Sequence, residues 1–242
     1  PTMGEPLLYK QFDRLFELAS TYGIKINLTT NGTFPKKTVN EWARLIVPAT
    51  SDIKISWNGA TARTAEQVMH GLDFEKAVEN VKQFIQYRNG YFEETGYYCR
   101  VTFQLTFMQH NMHELADIIK LAASLGVDRV KGHHLWAHFQ EIEGPSMKNN
   151  ADSRAQWNEY VQQALAARAR YHKPDGSKVL LENIITLEEE ESETVPYSYE
   201  CPFLNRELWI SATGTISPCC APDELRKSLG DFGNIADTSL AE

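Results

Sequence analysis

Three of the four cysteines, Cys201, Cys219 and Cys220, fall in the last 42 residues. Clustered thiols in a chain with no sign of an oxidising compartment favour metal ligation over disulfides. Thiolates are soft ligands, suited to iron–sulfur clusters among other centres. Leu208-Trp209-Ile210 and Thr215-Ile216-Ser217 flank Ala212-Thr213-Gly214, a hairpin signal that brings Cys201 and Cys219 close. A second chemical signal opens the chain. Met3-Gly4-Glu5-Pro6 places a glycine and a carboxylate at a strand-to-helix junction. Glycine lets a ligand approach the backbone, and Glu5 can accept charge-assisted hydrogen bonds from a ligand ammonium. A glutamate near a helix start also suits the helix dipole, so Glu5 alone does not separate the two roles.

Further polar groups, Thr29-Thr30-Asn31, Ser56-Trp57-Asn58, Thr106 to Asn111 and His133-His134, each follow an apolar run. The run Gly132 to His138 holds three histidines, but on a strand His133 and His134 point to opposite faces. His134 and His138 lie roughly 13 Å apart at ~3.3 Å per residue, too far to share one metal. One inward histidine is therefore read as a substrate or cosubstrate contact. Cys99, beside Tyr97 and Tyr98, reads as a buried apolar thiol. Trp57, Trp136, Trp157 and Trp209 read as core.

The elements that position these groups alternate. Helical spacing is predicted from Leu8 to Ala19, stopped by Gly23, then from Lys36 to Leu45, Phe74 to Ile85 and Leu115 to Leu125. Strands are predicted at Ile24 to Thr29, Asp52 to Trp57, Tyr98 to Phe107 and Val127 to Trp136. Short connections between alternating strands and helices imply a parallel sheet, closed or open, with its chemistry at the C-terminal strand ends. The polar groups obey that rule. Beyond Glu141 the pattern changes: an Ala-rich helix spans Ala151 to Tyr171, a short strand Val179 to Leu187, and an acidic linker carries Glu188 to Glu191 and Glu193.

Composition narrows the classes. The chain has 242 residues, 42% hydrophobic and 23% charged, with a net charge of −8. That suits a soluble fold of one to two domains and disfavours non-specific nucleic-acid binding, which needs a dense basic field. No apolar run reaches the ~18 residues needed to span a bilayer, and no signal peptide is visible, so the cytoplasm is the expected compartment.

Gly4-Glu5-Pro6, then Leu28 to Thr33, Ile55 to Gly59 and His70 to Phe74, together resemble the radical S-adenosylmethionine superfamily over about residues 1–140. Met3 stands where that family carries the first glycine of its Gly-Gly-Glu-Pro motif. The resemblance implies that Gly4, Glu5 and Pro6 hold the methionine amino end and Ser56 the ribose. It makes Thr30, Asn31, Asn58 and Gln104 further cofactor-binding candidates and places Leu135 near the adenine. Cys201, then Gly214 after twelve residues and Cys219 after four more, resembles the start of a SPASM or twitch extension, which binds auxiliary four-iron four-sulfur clusters. The implied metal ligands are Cys201, Cys219 and Cys220; three thiols leave a four-thiolate site incomplete. The family's Cys-x3-Cys-x2-Cys run, which holds the main cluster, does not occur in the chain.

The expectation is therefore an α/β fold: a partial (β/α)6 barrel lacking its first strand over 1–140, a helical connection, strand and acidic linker over 141–195, and a small β-hairpin extension over 196–242. It belongs to an enzyme that cleaves S-adenosylmethionine reductively and abstracts hydrogen from a peptide or small metabolite, with electrons from an external donor. The chain as given is expected to be inactive alone and to self-associate through an open sheet edge. The competing reading is a cluster-free α/β binding or scaffold module. A third, a barrel lyase or aldolase, would rest on Lys131, for which the sequence names no partner.

Overall fold

A computed structural model of the chain describes residues 4–135, 144–148, 150–187, 201, 206–219 and 228–237. Contacts divide the chain into two compact units, Pro1–Glu191 and Ser192–Glu242. The acidic run at 188–193, together with Trp136, His138 and Cys220, lies outside the described residues.

The first unit alternates as expected. Helix α1 (Phe12–Thr21) precedes β1 (Ile26–Thr30), and α2 (Val39–Ala49) leads into β2 (Thr50–Ser56). Helices α3 (Ala62–Val68) and α4 (Phe74–Thr95) precede β3 (Arg100–Phe107). Helix α5 (Leu115–Leu125), β4 (Arg129–His134), α6 (Ala151–Arg170) and β5 (Leu180–Glu182) complete it. The five strands form one parallel sheet in the order β1-β2-β3-β4-β5. The sheet is that of a partial barrel of the expected kind.

Helix ends are set locally. Thr38 and Glu41 form a capping box at α2, Asn150 and Ser153 another at α6, and Asp73 caps α4 through the Lys76 N–H. Helix α3 carries too short a pattern to announce itself; Thr61 caps it by accepting from the Thr64 N–H.

Period-two alternation divides the sheet's two faces. Ile53, Ile55, Val101, Phe103, Leu105 and Val130 are fully buried beneath the helices. The opposite, inner face is polar. Lys54, Thr102 and Arg129 share one register row, and Ser56, Gln104, Lys131 and Glu182 the next.

At the N-terminal strand ends, buried Asp128 accepts from Arg88 Nη1 (2.6 Å), the Val101 N–H (2.8 Å), the Tyr98 hydroxyl (2.5 Å) and Lys173 Nζ (3.0 Å). Burial alone would raise its pKa; Arg88 and the other donors outweigh burial and hold the carboxyl below its usual value. Cys99 is buried and its thiol is pushed up to about 12, first by burial. Trp57 stacks on Phe103 at 4.3 Å, and Trp157 is fully buried against Phe107. Trp209 is only half-buried, because its strand belongs to a two-stranded hairpin that has little to cover it.

The second unit contains an antiparallel pair, β6 (Trp209–Ile210) with β7 (Ile216–Ser217). Asn234 donates to the Thr213 carbonyl and closes the hairpin end. No helix among the described residues is long and apolar enough to cross a membrane.

Gly132 in β4 is fixed by contact. A Cβ there would meet the Phe107 ring at 2.3 Å and the Leu105 carbonyl oxygen at 3.0 Å. Gly132→Ala should cost about 1–3 kcal/mol by overpacking. Gly90→Ala in α4, where a methyl meets nothing, should be neutral or stabilising by up to ~1 kcal/mol. Urea midpoints at unchanged m-value check both.

Candidate functional site

The C-terminal strand ends carry the site. Glu5 lies just before a short 3-10 turn, Pro6–Leu8, and Pro6 suits the first position of that turn because it lacks an N–H to satisfy. The Glu5 carboxylate reaches across to the end of β1. Oε1 accepts from Thr30 Oγ1 (2.7 Å) and the Leu7 N–H (3.2 Å), and Oε2 accepts from the Asn31 N–H (2.7 Å). Thr30 is buried; its hydroxyl also accepts from the Gly32 N–H, so it positions Glu5. The Asn31 side-chain oxygen accepts from the Thr33 N–H and hydroxyl, so its amide nitrogen is not part of this turn. Asn80 of α4 donates to the Gly32 carbonyl and pins this loop from behind.

Ser56 ends β2 in register with Gln104, whose backbone carbonyl accepts from the Trp57 N–H. Asn58 is used structurally: its side-chain oxygen accepts from the Thr106 N–H at 2.9 Å. Asn111 accepts from the Met108 N–H and donates to the Thr106 carbonyl, closing the loop after β3. Leu135 follows β4 and donates its N–H to the Phe107 carbonyl. Gly4, Glu5, Pro6, Thr30 and Asn31 are thus brought into contact or adjacency, and Ser56, Asn58, Gln104 and Leu135 occupy the ends of the neighbouring strands.

The histidines separate as the strand period requires. His134 packs on Phe107 and Trp157 on the helix side, with ring centroids 5.3 and 4.7 Å away. His133 faces inward, 3.4 Å from the Gln104 amide nitrogen through Nδ1. Partial burial, then the Lys131 ammonium, lower its pKa below the ordinary value, although the residue keeps an exposed surface. Lys131 lies within β4, not in a loop, and pairs with Glu182.

One organising residue gave no signal in the sequence. Glu114, buried, accepts from the Ala60 N–H (2.6 Å), the Thr61 N–H (3.2 Å), the Thr61 hydroxyl (2.7 Å) and the Thr64 hydroxyl (2.7 Å). It ties the loop after β3 to the loop after β2 and to the first turn of α3. All four partner groups lie at least 50 residues away, so no local pattern reveals them.

The groups present fit the cosubstrate that the sequence implies. A Cβ on Gly4, at φ 99°, would meet nothing within 4 Å, so a ligand has room against the backbone there. Among the described residues Glu5 Oε2 has one protein donor and keeps capacity for another, which an ammonium can fill. In the second unit, Ser217 accepts from the Cys219 N–H and donates to the Cys219 carbonyl, setting this thiol just past β7. Cys201 is exposed. A thiol donor set suits an iron–sulfur cluster. Among the described residues no group of three or more His, Cys, Asp or Glu side chains is placed to hold a metal.

Comparisons with known proteins bear on the fold and on the second unit. Residues 201–242 match the family model for SPASM, an iron-sulfur cluster-binding domain. The crystal structure of Streptococcus suis SuiB superposes with a TM-score of 0.67 at 15% identity, covering 98% of this chain and 52% of SuiB. SuiB bound to S-adenosylmethionine gives 0.66 at 16% identity, covering 98% and 51%. The chain shares its fold with SuiB and carries a SPASM-type segment at 201–242. SuiB bound to its precursor peptide SuiA gives a TM-score of 0.65 at 15% identity, covering 98% of this chain and 51% of that one. The chain spans about half the length of these SuiB structures. A search of curated proteins finds no match.

Glu114→Gln should lose about 2–4 kcal/mol, because it strands donors that a carboxylate satisfied. Burial alone would raise the Glu114 pKa; the bonds from Thr61, Thr64 and Ala60 outweigh it and hold the group below its ordinary 4.5. Its contribution is therefore complete above that ordinary value and is lost as pH falls through the lower folded value. Denaturant melts of both proteins should show the gap between them narrowing as pH falls below the ordinary value of 4.5.

Proposed function

We propose that the chain is the cosubstrate-binding core of a radical S-adenosylmethionine enzyme acting on a peptide. The observation that carries this is the Glu5 carboxylate, held by Thr30 and the Asn31 N–H beside the open Gly4 backbone at the mouth of the sheet. Glu5 takes the methionine ammonium, its remaining acceptor capacity aimed outward, with the Gly4 backbone alongside. Ser56 hydrogen-bonds the ribose, with Gln104 beside it in register, and Leu135 lies along the adenine. Asn31 offers its amide nitrogen, and Asn58 keeps the loop after β2 in place. Cys201, Cys219 and Cys220 serve an auxiliary iron–sulfur cluster with ligands beyond those three. When bound, the reduced main cluster and S-adenosylmethionine supply a 5′-deoxyadenosyl radical that abstracts hydrogen from the substrate. The protein's own work is binding, alignment and exclusion of water.

A peptide substrate is favoured because the matched SuiB structure holds its precursor peptide and because residues 201–242 match a SPASM domain. An external electron donor, a cytoplasmic location and self-association along the edge strand β1 belong to the same reading.

The test uses the full-length protein, reconstituted with iron anaerobically and reduced with dithionite. 5′-Deoxyadenosine should form, and Glu5→Gln should weaken S-adenosylmethionine binding about tenfold in calorimetry, the loss of one charge-assisted bond. No 5′-deoxyadenosine despite a bound cluster would overturn the proposal.

A further inference from the structure

The inner face of the sheet carries a charge arrangement that cosubstrate binding does not use. Its two carboxylates are already occupied. Asp52 accepts from Thr102 Oγ1 (2.8 Å) and pairs with Arg129 Nη2. Glu182 accepts from Arg129 Nη1 (2.6 Å) and pairs with Lys131 Nζ. Arg129 Nε donates to Thr102 Oγ1 (3.1 Å), so each of its three nitrogens has a partner. Hydrogen bonds from Lys131 and the charges of Arg129 and Lys131 hold the Glu182 carboxyl below its usual value.

What this network leaves over is donors. Lys54, half-buried in the same row as Thr102 and Arg129, has no hydrogen-bond or ion-pair partner among the described residues. Lys131 has three donors, with its one ion pair to Glu182. The Gln104 amide nitrogen donates to His133 Nδ1 (3.4 Å), which makes Nε2 the protonated ring nitrogen. Three cations face two carboxylates here, on a chain whose net charge is −8. Lys54, Arg129 and Lys131 are all partly buried, and partial desolvation strengthens such a local excess. Structural need does not explain Lys54. The Asp52–Arg129–Glu182–Lys131 chain closes without it, and an apolar residue would pack an inner barrel layer more cheaply.

We propose that this wall reads a carboxylate on the substrate: Lys54 and Lys131 grip the anion, and His133 donates a hydrogen bond beside it. The inference rests on the reading of the rim as the cosubstrate site and adds the chemical class of the second ligand. Lys54 on β2 and Lys131 on β4 stand two strands and one row apart, roughly 12 Å between Cα atoms at ~4.8 Å per strand and ~6.6 Å per row. Two lysine stems of about 6 Å each converge on one anion held between them over β3. The carboxylate is an aspartate or glutamate side chain of a peptide, or that of a free carboxylic acid.

The experiment uses the full-length protein and three probes: a fluorescein-labelled Gly-Glu-Gly-Glu-Gly peptide, its Gly-Gln-Gly-Gln-Gly counterpart, and glutarate as a competitor. The acidic peptide should bind about tenfold tighter than the amide peptide, and tenfold less tightly in K54Q, with K54R restoring most of the loss. Binding should weaken as salt rises. Displacement by glutarate at comparable concentration assigns the site to a free acid; displacement only at large excess assigns it to a peptide side chain. Either supports a carboxylate site. Equal binding of the two peptides, or K54Q binding the acidic peptide as wild type does, would overturn it. Calorimetry with S-adenosylmethionine separates the two readings. K54Q should leave that affinity within about twofold, and a larger loss would assign Lys54 to the cosubstrate and sink the substrate wall. Failure of wild type to bind S-adenosylmethionine sinks the rim reading, while the peptide comparison still decides the wall.

Discussion

A strand sends successive side chains to opposite faces, and in this sheet that single rule assigns nearly every inward residue its task. Ile53, Ile55, Phe103 and Leu105 go outward to seal against helices, and none of them is exposed. Lys54, Ser56, Gln104 and Lys131 are thereby forced inward, whatever else they do. Parallel sheets are usually apolar on both faces. Here one face is given up to polar groups, so the main apolar stabilisation must come from the layer between sheet and helices. Gly132 shows how tightly that layer closes, with the Phe107 ring occupying the place of its absent side chain.

Two carboxylates then organise the mouth, and they do different work. Glu5 gathers donors from the first loop and keeps spare capacity, which suits a group that meets a ligand. Glu114 takes four donors and keeps little, which suits a group that holds loops. A carboxylate's accepting capacity is finite, so the number of protein donors already on it separates a binding residue from a scaffold residue.

Much of this was legible in the sequence because it is local. Helix α5 is bounded as its spacing predicts, Leu115 to Leu125 with Gly126 beyond, and the polar groups do sit at strand ends. Cys99 is buried, and His133 and His134 part to opposite faces, as strand alternation demands. What stayed hidden is long-range. The partner of Lys131 is Glu182, 51 positions on, supplied by a three-residue strand. The four donors to Glu114 and the Asp52–Arg129 pair are equally remote in sequence. Helix α3 escaped for the related reason that its stability comes from Thr61 and Glu114 more than from its own short run.

The Glu114 tie has a consequence for how such a molecule can diversify. The loops after β2 and β3 share one anchor and cannot be remodelled separately, since an insertion in either would drag the other away from its neighbours. Novelty in ligand choice is thereby channelled to surfaces that no common bolt secures, and the pair behaves as a fixed lintel over the opening.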